Sequence, residues 1–261
     1  VSHFLLMCDN LDKNYVIYTQ MEADGRFAIR LFCVNPARNL GECMARGRSA
    51  ILFSATLLPI QYYKRLLGGG KEDYEVYART VFDPAKRGLF IASDVTSRYA
   101  RRSDAEYNNI ASYIGRIVQG RPGNYIVFFP SYAFLQNIYE VFAGRFAEDN
   151  VECLLQEEYM SEQEREEFLA RFSEDREPGE REQKALVGFC VLGGIFSEGI
   201  DLKKDSLIGA VIVGTGLPMV CNEREILKQY FEDQGENGFD YAYRYPGMNK
   251  VLQAAGRVIR T

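Results

Sequence analysis

The chain has 261 residues, enough for one large or two small domains, and its 47% hydrophobic and 26% charged residues exclude wholesale disorder. With 31 Lys+Arg against 36 Asp+Glu the net charge is -5, so nucleic acid or an anionic membrane would have to be met by a local basic groove. No apolar run reaches the length of a helical membrane span, and no charged-then-apolar leader opens the sequence.

The six Cys (8, 33, 43, 153, 190 and 221) form no Cys-x-x-Cys pair, and the single histidine, His3, has no partner for a His-based metal site. A reduced, intracellular and cytoplasmic protein is expected, with no metal site in this piece. The chain starts at Val1 and stops at Thr261, directly after a strongly patterned segment, so a piece of a larger protein is expected.

Residues 14–20 and 26–34 are β-rich runs around Asp24-Gly25, which predicts a hairpin. Pro36 opens a short helix to about residue 46. A strand is expected over 49–53, ending at Ser54-Ala55-Thr56, and a helix from Pro59 that Gly68-Gly69-Gly70 stops. Short strands are expected over 74–77 and 89–92. A helix over 104–119 carries Tyr107, Ile110, Ala111, Ile114, Ile117 and Val118 at a period of 3.6, with Ser103 and Glu106 as a capping box. Strands follow over 125–129 and 151–155, with a helix over 132–146 between them. The next helix, 162–172, is capped by Ser161 and Glu164, and a charged loop spans 173–184. Strands over 185–192 and 207–213 are apolar throughout, the pattern of central strands in a parallel sheet. Asn222 with Glu225 is expected to cap a helix to about Phe231, and a final helix to start near Pro246. The alternation gives an α/β domain with a mostly parallel sheet at about 71–261, with residues 1–70 as the trailing part of another domain.

Ligands of open parallel sheets bind beyond the C-terminal strand ends. The residues there are 54–56, Pro130-Ser131, 193–201 and the head of the last helix. Two glycines, 193 and 194, let the backbone turn tightly or approach a ligand, and Glu198, Gly199 and Asp201 follow; Asp201 can accept hydrogen bonds from a ribose or order a loop. At about 100° per residue, Gln253, Arg257 and Arg260 share one face of the last helix, with Met248, Val251, Leu252, Ala255 and Ile259 opposite. Two arginines one turn apart suit a phosphate, and Gly256 between them permits close approach. Arg98, Arg101 and Arg102, interleaved with Tyr99, form the densest positive patch, suited to backbone phosphates and a stacked base. Each of these readings competes with a solvated loop or helix face. Gly68-Gly69-Gly70-Lys71-Glu72 follows a helix and lacks the Ser/Thr of a phosphate-binding P-loop, and no other such loop occurs.

Gln253-Ala254-Ala255-Gly256-Arg257-Val258-Ile259-Arg260 resembles motif VI of superfamily 2 helicases, Gln-x-x-Gly-Arg-x-x-Arg. Residues 194–201, with Glu-Gly-Ile-Asp at their end, resemble motif V. Ser54-Ala55-Thr56-Leu57 resembles motif III, and Val127-Phe128-Phe129-Pro130-Ser131-Tyr132 resembles motif IV of the XPD/DinG group. The four occur in order over residues 31–261. The resemblance implies two RecA-like motor domains with ATP and Mg2+ between them. This chain would hold the end of the first (1–70, through motif III) and most of the second (71–261, motifs IV to VI). Both Walker motifs, and the iron–sulfur cluster and arch that members often carry, would lie upstream.

By the same resemblance, Arg257 and Arg260 approach the β- and γ-phosphates and Gln253 the γ-phosphate or attacking water. Glu198, Gly199 and Asp201 couple nucleotide state to DNA. Thr56 links the two sites, and Ser131 and Tyr132 sit where the second motor domain touches DNA. The implied activity is ATP-driven 5'-to-3' translocation and unwinding, on single-stranded or forked DNA, by a monomer (nucleoid-associated if bacterial) whose first motor domain belongs to the same chain. A RecA-like module without catalysis and an RNA-directed helicase are the alternatives.

Overall fold

The computed structural model describes residues 2–9, 11–147, 150–173, 184–197 and 206–259. Two compact units emerge: Val1–Ala78 with Pro218–Pro246, and Arg79–Leu217 with Gly247–Thr261. The sequence-based division at residue 70 did not group 218–246 with the N-terminal residues.

In the first unit, helix α1 (Ser2–Cys8) precedes an antiparallel hairpin of β1 (Tyr15–Met21) and β2 (Phe27–Cys33), paired from Tyr15↔Cys33 to Met21↔Phe27. The turn closes with the Glu22 N–H donating to the Arg26 carbonyl at 2.8 Å. Helices α2 (Ala37–Met44) and α3 (Ile60–Leu66) follow. The core of the unit is largely aromatic. Tyr62 lies 5.3 Å from Tyr241 and 5.0 Å from Tyr245, and Tyr241 stacks on Phe231 at 3.9 Å. Burial pushes the Tyr62 phenol up to about 12.

The second unit is built on a parallel sheet of β3 (Asn124–Phe129), β4 (Val151–Leu155), β5 (Ala185–Val191) and β6 (Gly209–Ile212), in the order β4-β5-β3-β6. Every residue of β3 and β5 is buried because both faces are covered. Tyr125, Val127 and Phe129 with Val187 and Phe189 face α4 (Asp104–Gly120) and α5 (Tyr132–Phe146). Ile126, Phe128, Leu186 and Cys190 face the other way, toward Phe168 and Phe172 of α6 (Glu162–Ser173) and Ala254 of the last helix. Gly188 allows this layer to close: a Cβ there would stand 2.8 Å from the Phe172 ring. The unit is therefore the α/β architecture expected from the strand–helix rhythm.

Helix starts follow the sequence with two exceptions. Ser161 and Glu164 form a full capping box, with the Glu164 N–H donating to Ser161 Oγ at 3.3 Å and the Ser161 N–H to Glu164 Oε2 at 2.6 Å. Ser103 caps α4 through the Glu106 N–H at 3.3 Å, but the buried Glu106 carboxylate instead accepts the Thr96 N–H, so half of that box is diverted to the preceding loop. The next helix, α7 (Asn222–Glu232), has Cys221 at its N-cap, and Asn222 is already helical, so the expected Asn222 cap is corrected.

Three expected strands are absent. Residues 49–53, 74–77 and 89–92 take no regular structure and have no ladder partners, and Phe53, Tyr74 and Phe90 are 90%, 99% and 90% exposed. A β-rich run becomes a strand only where a neighbour takes its backbone groups and a packed layer its side chains.

The last helix, α8 (Tyr245–Ala255), follows a π-helical turn over Asp240–Arg244. Pro246 lies at its second position. It has no N–H for the Ala242 carbonyl, and Arg224 Nη1 donates to that oxygen instead at 3.2 Å. A wider turn with a side-chain substitute thus accommodates a proline inside helical backbone.

Candidate functional site

In a parallel sheet all strand C-termini lie at one edge, and here that edge gathers α5's start, the end of β4, the turn after β5 and the residues after α8. Past Phe129, Ser131 caps α5 by accepting the Phe134 N–H at 3.4 Å. Tyr132, the first residue of α5, is half-buried, and loss of water around it raises its phenol above the ordinary value.

The turn after β5 is held by backbone hydrogen bonds and ring packing. The Leu192 N–H donates to the Phe129 carbonyl at 2.8 Å, and the Gly194 N–H to the Val191 carbonyl at 3.1 Å. Gly193 has φ +72, and a Cβ there would meet Lys250 Cε at 2.9 Å, so the α8 lysine stem lies directly on the turn. Phe196 stacks on Phe168 at 4.2 Å, and fully buried Ser197 donates through both its N–H (3.0 Å) and its Oγ (2.9 Å) to the Gly194 carbonyl.

Arg257 meets this turn. Its Nε and Nη2 donate to the Ser197 carbonyl at 3.1 and 2.8 Å, which fixes the guanidinium beside the strand end. The helical-wheel reading of this segment is corrected in two respects. α8 ends at Ala255, and residues 256–259 continue in tighter turns in which the Arg257, Val258 and Ile259 N–H groups reach three residues back, so Arg257 is not on the helix. The buried stripe is also rotated: Gly247 and Ala254 face inward, whereas Ala255 and Ile259, both expected inside, are exposed. Small residues let α8 sit close to its neighbours, so its inner face is marked by size more than by hydrophobicity.

The Gln253 side chain is half-exposed and makes no hydrogen bond among the described residues; Gly256 is half-buried at the helix end. Glu198, Gly199, Asp201 and Arg260 lie outside the described residues. Thr56 belongs to the other unit, where its N–H donates to Ser54 Oγ at 3.2 Å.

The basic patch divides in two. Arg98 and Arg101 are exposed and line an open cleft of about 420 Å³ with Ser93, Asp94, Val95 and Thr96. Arg102 instead packs over the Phe134 ring at 4.2 Å and the Tyr99 ring at 5.3 Å, and its Nε donates to the Ser97 carbonyl at 3.4 Å. It braces the loop that presents its neighbours. Ser97 lies against the Gly214 backbone just past β6, which brings the loop to the same edge.

Gln156, immediately after β4, escaped the sequence reading. It is 3% exposed; its N–H donates to the Phe189 carbonyl at 2.9 Å, its Oε1 accepts the Val191 N–H at 2.9 Å, and its Nε2 donates to the Tyr132 hydroxyl at 2.9 Å. Its only signal in the sequence is a polar residue directly after the Cys153-Leu154-Leu155 run that ends β4.

All six cysteines are free, and no group of His, Cys, Asp and Glu suited to a metal ion occurs among the described residues. No helix of the described residues is long and apolar enough to cross a membrane.

Residues 114–261 match the family model of the helicase C-terminal domain. Among curated proteins, the chain is 24% identical to the ATP-dependent DNA helicase chl-1 of Caenorhabditis elegans, over 97% of this chain and 31% of that protein. It is 26% identical to the general transcription and DNA repair factor IIH helicase subunit XPD/RAD3 of Saccharomyces cerevisiae, over 89% of this chain and 30% of that protein. The chain thus spans about a third of the length of these relatives. Two solved XPD structures, one an XPD helicase and one in the apo state, match with TM-scores of 0.60 and 0.62 at 20% and 22% identity. They cover 98% and 97% of this chain and 43% and 48% of theirs, and show the same fold. The family model covers more than half of the chain, and this chain belongs to the helicase C-terminal domain family; its sequence is similar to DNA helicases such as chl-1 and XPD/RAD3.

Proposed function

We propose that this chain is the C-terminal motor region of an ATP-dependent DNA helicase. In this reading its second compact unit closes over a nucleotide held mainly by a first motor domain of the same protein. The observation that carries the reading is Arg257 anchored on the Ser197 carbonyl at the C-terminal edge of the parallel sheet, within the motif VI pattern. A guanidinium fixed there is pre-positioned to meet charge developing on a transferred phosphoryl group, the role of an arginine finger. ATP and Mg2+ would be bound by Walker motifs outside this chain. Arg260, Gln253 and Gly256 would complete the cleft, and Glu198, Gly199 and Asp201 would relay its state.

Nucleic acid would run along Tyr132, Ser131 and the exposed Arg98 and Arg101, with Thr56 linking the ATP site to the DNA path. Arg102 contributes by bracing the loop. The product of the cycle is 5'-to-3' translocation along single-stranded or forked DNA in an intracellular protein.

The test compares unwinding of DNA, RNA and mixed duplexes by the intact protein with ATP and Mg2+. Unwinding of DNA carrying a 5' single-stranded tail, and not of RNA duplexes, is expected. Unwinding restricted to RNA, or no ATP-dependent unwinding of any duplex, would overturn the reading.

A further inference from the structure

From the hydrogen bonds at the strand edge we infer that Gln156 is a positioning residue that makes the nucleic-acid side and the nucleotide side of the second unit respond together. The inference rests on the function proposed above.

An unbroken chain of contacts supports it. Gln156 Nε2 donates to the Tyr132 hydroxyl, and Gln156 Oε1 accepts the Val191 N–H, each at 2.9 Å. The Val191 carbonyl accepts the Gly194 N–H, the Gly194 carbonyl accepts both donors of Ser197, and the Ser197 carbonyl accepts Arg257. Tyr132 begins α5 at the proposed DNA track, and Arg257 stands at the proposed nucleotide cleft. Gln156 is the only side chain that spans β4, β5 and α5 in this chain of bonds.

Its chemistry fits the role. A primary amide offers an acceptor and a donor on one planar group, so one side chain satisfies a buried backbone N–H and reaches a hydroxyl on the neighbouring element. Gly194 adds to the constraint, since a Cβ there would stand 3.2 Å from Gln156 Nε2. The amide is therefore clamped between the turn and α5, and a shift of either one displaces it. The test measures the coupling between the two sides directly.

The experiment uses the intact protein. ATP hydrolysis is measured without DNA and with a poly-deoxythymidine strand titrated to saturation, giving the stimulation ratio and the half-saturating DNA concentration separately. Gln156→Met keeps length and loses both hydrogen bonds. Gln156→Asn, one methylene shorter and still polar, reaches at most one partner and serves if the methionine variant does not fold. Gln156→Glu keeps an oxygen for the Val191 N–H and a second for the Tyr132 hydroxyl.

The stimulation ratio is expected to fall about fivefold or more in Gln156→Met and Gln156→Asn, and to be restored in Gln156→Glu. In the double variant Gln156→Met with Tyr132→Phe, the loss should be no greater than in the more affected single variant, since both substitutions break the same Gln156–Tyr132 hydrogen bond. A merely structural role predicts lowered thermal stability and independent, multiplicative effects on the ratio. A DNA-stimulated wild type whose ratio is untouched by Gln156→Met or Gln156→Asn, or a multiplicative cycle, overturns the inference alone. A wild type without any DNA response overturns the functional reading and the inference with it.

Discussion

Residues 185–191 and 89–91 are both short apolar runs of β-forming residues, and they have opposite fates. The first is β5, central in the sheet and buried at every position. The second has no regular structure and no strand partner and is exposed, with Leu89 at 78%, Phe90 at 90% and Ile91 at 85%. The difference lies in the surroundings. β5 has β3 and β4 on its edges and helices over both faces, while 89–91 has neither. Strand propensity is thus a statement about fit to a half-built surface, and the surface decides.

The contrast is broken most strongly by removing one ring from each run. Phe189 packs against Phe129, Tyr139 and Phe142, with centroids 6.0, 5.2 and 5.2 Å away. Phe189→Ala should cost about 3–5 kcal/mol, because the surrounding rings cannot collapse into the space. Phe90→Ala should change stability by less than about 0.5 kcal/mol. Urea unfolding of both variants checks this, and equal losses would show that 89–91 is packed in solution.

Helix starts give a smaller and more local effect, since a cap needs no distant neighbour. The Ser161 backbone N–H, and then its hydroxyl, hold the Glu164 carboxyl below its ordinary value of 4.5. A depressed carboxyl stabilises the fold above its unfolded-state value, and the benefit is lost as pH falls through the folded-state value. Glu164→Gln should therefore reduce stability slightly at neutral pH and make no difference once pH falls below the folded-state value. Unfolding measured from pH 7 to pH 3 tests it, and a deficit of the Glu164→Gln variant that persists undiminished at pH 3 would assign the effect to packing.

The same physics explains how much was legible in the sequence. β3, β5 and β6 could be read because they are apolar on both faces, and the hairpin because Asp24-Gly25 marks its turn. Ser103 and Ser161 were legible as caps, as local chemistry allows. Neighbours, by contrast, are not written in a run itself, so 49–53, 74–77 and 89–92 carry the composition of strands without forming them. The inner face of α8 was misread because Gly247 and Ala254 make close packing without a large apolar signal. Pro246 marked a helix start only by habit of position; the Arg224 contact that lets it lie within helical backbone comes from another helix. Motif patterns placed Arg257 at the candidate site, but its anchor on Ser197, like the partners of Gln156, joins residues far apart in the chain.

The central claim is that Arg257 acts on the nucleotide from the edge of the second unit. The most direct test is steady-state ATP hydrolysis by the intact protein with saturating single-stranded DNA, comparing wild type with Arg257→Ala and Arg257→Lys, alongside nucleotide affinity and a thermal melt. Arg257→Ala should lower turnover by about 10³ to 10⁵, with nucleotide binding weakened far less, and Lys should rescue only partly because it keeps charge and loses the planar fork. Turnover by a folded Arg257→Ala protein within about twofold of wild type would contradict the account, since it would mean that no transition-state contact had been removed.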